Sequence, residues 1–215
     1  MKQLKRVFYL ILLLSFCKLN IIGQNAHAAD THTQRVDFAN NFANIVLSVI
    51  SDQKKSYDKR KEVLSEAFSK SVDIDWIARF VIGRNWNNAT DEQRERYTAL
   101  YRQFLTKTYV ENFAQNPDKS ISGIKVLNVN DKSAEDFTVA TEMKLTNQDV
   151  LNVSYLVFEK DGRYKVHDIS IENVSLINSH RSEFTTLAAS HGLDGVIKKL
   201  EQLVAATPEV SVSMK

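Results

Sequence analysis

Residues Trp76–Phe113 read WIARFVIGRNWNNATDEQRERYTALYRQFLTKTYVENF. A short segment with Trp76, Ile77, Phe80 and Val81 on one side runs into Gly83, a residue suited to end a helix. After a polar link, Thr90-Asp91-Glu92-Gln93 has the form of a capping box. The threonine oxygen can take the amide hydrogen of Gln93, and the glutamine side chain can return to the amide of Thr90. Tyr97, Tyr101, Leu105 and Tyr109 then recur every fourth residue, flanked by Leu100 and Phe104, until Asn116-Pro117 closes the pattern. The spacing predicts one uninterrupted helix, the longest of the chain, whose wide aromatic stripe the other elements must meet.

Working toward the N-terminus, Phe38, Phe42, Ile45 and Val49 recur at intervals of four, three and four, with Val36, Ala43, Val46 and Ile50 beside them. They predict an amphipathic helix over Gln34–Ile50. Asp58 is placed to cap a second helix carrying Val63, Leu64, Ala67 and Phe68, and Asp73 or Asp75 a third that ends at Gly83. Beyond Pro117 the period drops to two. Phe137, Val139, Thr141, Met143 and Leu145 alternate with smaller or polar residues, Val150–Lys160 forms a second strand, and Asp161-Gly162 a hairpin turn. Arg163–Ile169 returns as a third strand, and Ile124–Asn130 adds a fourth. Ser175–Ser190 and Gly195–Ala205 are helical again, with a stop at Gly192. Helices, a meander and helices make an α+β fold: helices packed on a curled antiparallel four-stranded sheet, with an apolar cavity between the layers.

The chain has 215 residues, enough for one domain with a substantial core. Its start is a targeting signal. Lys2, Lys5 and Arg6 precede the apolar run Val7–Phe16, and Ala26-His27-Ala28 has the small-x-small form of a cleavage site. The run is shorter than the ~20 residues of a membrane span. Residues 1–28 therefore read as a signal peptide, 29–207 as a single domain and 208–215 as a flexible tail. Residues 1–28 carry four basic groups and no acidic one, so the formal charge of +2 becomes −2 after cleavage, which gives no case for a nucleic-acid binder. The single cysteine, Cys17, leaves with the signal, removing disulfide, thiol and thiolate chemistry.

Local motifs for catalysis are missing: there is no GxSxG, HExxH, glycine-rich phosphate loop or EF-hand. His32, His167, His180 and His191 lack ligand spacing, so no metal and no cofactor is expected. Asp73 and Asp75 are explained by helix capping without an acid–base pair. Tyrosines at helical spacing ordinarily pack a core, but beside a cavity their hydroxyls would sit where an amphiphilic ligand has its polar end. Arg79, Arg84, Arg94, Arg96, Arg102 and Lys107 outnumber Asp91, Glu92 and Glu95 by three, which marks either a solvated face or a docking patch for acidic groups.

The stretches FVIGRNWNNATDEQRERYTALYRQFLTKTY and VHDISIENVSLINSHRSEFTTLAASHGLDGVIKKL resemble the MlaC family, the toluene-tolerance auxiliary proteins. Val81-Ile82-Gly83-Arg84-Asn85-Trp86 matches the family's Val/Ile-Leu-Gly-Arg-x-Trp, and Thr90–Arg94 its helix start. Asp168, Glu172–Leu176, Arg181–Phe184 and Gly192–Val196 match the C-terminal pattern. Asn173 stands where glycine is usual and His180 where tyrosine is common. The resemblance implies a periplasmic phospholipid carrier with a nuclear-transport-factor-2-like sheet, serving an ABC transport system that maintains outer-membrane lipid asymmetry. Its implied partners are a phospholipid, an inner-membrane ABC transporter complex and an outer-membrane lipoprotein complex, with the carrier a monomer. Hopanoid-associated relatives share the pattern, which leaves the lipid open.

On that reading the candidate cavity wall is Trp76, Phe80, Val81, Leu100, Tyr101, Phe104, Leu105 and Tyr109 from the helices, with Val139, Val157, Phe158 and Val166 from the sheet. Arg84, Arg94 and Arg102 are the candidate docking residues. The rival readings are an enzyme acting on an apolar substrate, which would need Tyr109, His167 or Asp168 in the cavity, and a cavity-free adaptor.

Overall fold

The structure, a computed structural model, describes residues 31–49, 55–115, 121–146, 148–160 and 162–206. The signal peptide with Cys17, the Asn116-Pro117 stop, Asp161 and the 208–215 tail lie outside these residues.

Helix α1 covers 31–49. It is followed by α2 (Tyr57–Ser71), α3 (Ile74–Ile82), the single turn α4 (Asn85–Asn88) and α5 (Asp91–Leu105). The expected long helix is not α-helical throughout. At Thr106–Glu111 the backbone widens into a π-helical segment before α6 (Asn112–Gln115). The extra residue per turn rotates the buried stripe, so that Tyr97, Tyr101 and Leu105 face one core while Val110 and Ala114 face a second, shared with Val49 and Leu64.

Local chemistry sets the helix starts. Ser56, rather than Asp58, caps α2, its hydroxyl taking the Lys59 amide. Asp73 caps α3 by accepting from Trp76 N at 3.1 Å. Both arms of the Thr90–Gln93 capping box are formed.

The strands are β1 (Gly123–Asp131), β2 (Asp136–Lys144), β3 (Val150–Lys160), β4 (Arg163–Ile171) and β5 (Val174–Ser175), joined in sequence order as an antiparallel sheet. The count is five rather than four. The additional strand is a two-residue return after a turn at Glu172-Asn173, both with positive φ. Asparagine is among the few side-chain-bearing residues that enter that region readily, which suits Asn173 to the turn. Bulges at Val126/Asn128 and Leu156/Val157 curl the sheet.

The register places Phe137, Val157 and Val166 side by side, then Val139 with Tyr155 and Ile169, then Thr141 with Val153 and Ile171, on one apolar face. At the sheet's other end Asp168 Oδ1 accepts from Ile177 N. With Ser175 it starts α7 (Leu176–Ala205), which kinks at Gly192 (φ 66°). Helix α7 packs on α3 and α5, burying Phe184, Val196, Ile197 and Leu200, each worth ~1.5–3 kcal/mol over exposure.

Candidate functional site

Helix α1 lies across the apolar face of the sheet. Arg35 fixes its first turn. The guanidinium donates to Asp131 Oδ1 (2.7 Å), the Ala134 carbonyl (2.6 Å) and Glu159 Oε2 (3.4 Å) while only 2% exposed. The Asp131 carboxyl is held below its ordinary range, chiefly by that hydrogen bond. Farther along α1, Phe38, Ala39, Phe42 and Ala43 face Ile124, Val139, Thr141, Tyr155, Val157 and Val166 across an apolar slot of about 20 Å³. That is room for about one water. The helices and sheet thus meet over a narrow slot in place of the expected cavity, because the phenyl rings of α1 reach into it.

The slot's hydroxyls are already engaged. Thr141 Oγ1 donates to the Val153 carbonyl at 2.9 Å, and Tyr155 is hydrogen-bonded to Thr141. Burial pushes the Tyr155 phenol up to about 12, so it stays neutral across the physiological range. Of the sequence-predicted wall, Val139, Val157 and Val166 line the slot. Phe38 and Phe42 were legible only as a helical apolar face. The signal that distinguishes them is the pairing of two large residues with Ala39 and Ala43, each set at i, i+4, which lets the helix approach closely.

The remaining expected wall residues are elsewhere. Tyr101 has no exposure, nor has its stripe neighbour Tyr97, which was not among the wall candidates, and both hydroxyls meet protein rather than a ligand's polar end. Tyr97 donates to the Ala78 carbonyl, and Tyr101 lies 3.0 Å from His180 Nδ1. Phe104 and Phe184 both lie tilted against the His180 ring, and Tyr101 meets it edge-on. Val81 and Leu105 are buried in the same α3–α5–α7 core, which Phe80, Leu100, Phe104 and Tyr109 border. Trp76 stacks on Phe80 (5.0 Å) and on His167 (4.1 Å), and His167 on Phe158 (4.2 Å), at the junction of α3 with the sheet. His167 Nε2 faces Asp73 at 3.4 Å. Burial lowers the pKa of both histidines, partly opposed by Asp73 at His167 and by Asp168 at His180.

The arginines separate into different classes. Arg94 bonds the Trp86 carbonyl (3.1 Å) and Asp91 (3.0 Å), and with Arg79 it flanks the Trp86 ring. Arg102 pairs with Asp75 at 2.6 Å, and Arg96 with Glu201. Arg84 is exposed, and its side chain has no ion pair among the described residues. The apparent positive excess is therefore largely neutralised by acids distant in sequence. Among the described residues, no group of three or more metal-ligating side chains comes together, and no helix is long and apolar enough to cross a membrane.

The two family-like stretches meet in space. Arg181 donates to the Phe80 carbonyl and stacks on its ring at 4.5 Å. Its guanidinium crowds Gly83, whose φ of 54° and open side serve this contact. Gln93 Nε2 reaches Asp194 at 2.9 Å. The fold is shared with a phospholipid-binding protein from Ralstonia solanacearum solved in complex with a phospholipid at 1.53 Å: the TM-score is 0.66 at 19% identity, over 78% of this chain and 94% of that one. A family profile described as MlaC protein matches residues 40–202, and on that match the chain belongs to the MlaC family.

Proposed function

We propose that this protein is a periplasmic phospholipid carrier that holds acyl chains between α1 and the apolar face of the sheet, with no catalytic step. The observation that carries this reading is the slot itself. It is lined by valines, phenylalanines and alanines, lies where a helix closes on a curled sheet, and belongs to a fold that a phospholipid-binding protein shares. Burying a sixteen-carbon chain is worth on the order of 10 kcal/mol at ~0.8 kcal/mol per methylene, so such a lipid needs a dry site to travel through water. The partners in this reading are an inner-membrane ABC transporter complex and an outer-membrane lipoprotein complex, between which the carrier would shuttle lipid as a monomer; membership of the MlaC family supports it. Arg84 is the best candidate for docking an acidic surface, since Arg94 and Arg102 are engaged within the chain.

The enzyme reading loses support from the same geometry. Tyr109, His167 and Asp168 do not line the slot, and the hydroxyls that do are hydrogen-bonded within the sheet. Denaturing extraction of the purified protein followed by lipid mass spectrometry tests the carrier reading. Bound phospholipid at a fixed stoichiometry is expected. Protein that repeatedly yields no lipid, and takes up none from vesicles, would overturn it.

A further inference from the structure

We propose that Phe38 and Phe42 stand in for an acyl chain, and that a lipid loads by displacing these two rings from the sheet; this rests on the carrier reading above. The rings lie in a row along the apolar face. Phe38 packs on Tyr164 (5.1 Å) and edge-on to Phe137 (6.4 Å), Phe42 edge-on to Tyr155 (6.0 Å), and the two rings are 6.5 Å apart. Ala39 and Ala43, 5% and 6% exposed, let the helix settle close enough for the rings to fill the space. What remains is the slot of about 20 Å³.

The way α1 is fastened favours displacement at this point. Its first turn is held by directional bonds from Arg35 to β1, the β1–β2 connection and β3. Its end is held by Val49, which packs with Leu64, Val110 and Ala114 in a cluster separate from the one containing Ala39. Between these fastenings the slot is closed by apolar contact, which has no preferred direction and accepts methylenes as readily as phenyl carbons. The slot lies within the main core, where apolar contacts can part locally while the cluster around Val49 stays packed. The floor makes no demand for a polar ligand, because Thr141 already donates to Val153.

The test is loading from phosphatidylglycerol vesicles that contain a lipid with a pyrene-labelled acyl chain. Phe42→Ala removes a ring and should bind the probe roughly 3- to 10-fold more tightly or faster, since less of the population must first open. Phe42→Trp should load more slowly than the unmodified protein. Phe42→Leu guards against a folding failure and should shift loading in the Ala direction by less, with thermal melts recorded for all three. Wild-type protein that loads while Phe42→Ala and Phe42→Trp match it in rate and stoichiometry would overturn the displacement proposal alone. Wild-type protein that takes no probe would overturn the carrier reading beneath it.

Discussion

Two aromatic regions of this molecule use the same residue types to opposite ends. In the α3–α5–α7 unit, Tyr97 and Tyr101 are fully buried with hydroxyls engaged by Ala78 and His180, and Phe184 closes the layer. At the α1–sheet contact, Phe38 and Phe42 are partly buried and have no polar tip to anchor, and a slot remains beneath them. Aromatic rings tied by hydrogen bonds make a framework, because moving them leaves a buried polar group without its partner. Aromatic rings that contribute only contact area make a surface that another apolar body can replace.

The sharpest way to break this comparison is to truncate one ring on each side. Tyr97→Ala should cost ~3–5 kcal/mol in urea melts, as large-to-small changes in a packed core do. Phe42→Ala should cost less, because its site is only partly buried. Equal losses at the two positions would remove the distinction. Next in size is Gly83→Ala. Its Cβ would lie 3.0 Å from the Arg181 guanidinium at a φ of 54°, and a loss of roughly 1–3 kcal/mol is expected by equilibrium unfolding. A neutral result would mean that Arg181 moves aside freely.

Acid should weaken the framework more than the slot. His167 and His180 have pKa values lowered by burial in the folded state, so the unfolded chain binds their protons more readily. The stability they permit is complete above the ordinary histidine range of about 6.5, and is lost as pH falls from there toward their folded values. Urea midpoints measured from pH 8 to pH 5 should fall, and His180→Tyr, which removes one of the two titrating rings, should flatten part of that fall. The smallest effect is expected at the β4–β5 turn. Asn173→Gly should change stability by less than ~1 kcal/mol, and Asn173→Val should be clearly worse, because β-branched residues resist a φ of 66°.

The helices, the meander and the caps at Asp73 and Thr90 were legible because they depend on spacing and on neighbours three residues away. The π-helical segment at Thr106–Glu111 was not, since a change of register answers to two cores meeting in space rather than to any local breaker. The tyrosine row was visible, but its destination was not. Which side a stripe faces depends on partners such as Ala78 and His180, 19 and 79 residues away in sequence. The candidate slot was half legible. The strand valines showed through their alternation, whereas Phe38 and Phe42 looked like any amphipathic face until the sheet was set against them. The arginines misled for a related reason, because Glu201 and Asp75 neutralise them from other elements.

The stack at the α3–sheet junction gives the molecule an optical reporter of its own. Trp76 lies 4.1 Å from the His167 ring, and the only other tryptophan, Trp86, sits between two arginines. A protonated imidazole in contact with an indole quenches its emission, so a Trp86→Phe protein should dim as His167 gains its proton and brighten when the helix parts from the strand. Fluorescence from one native side chain would then follow, in real time, whether the helical unit and the sheet are together.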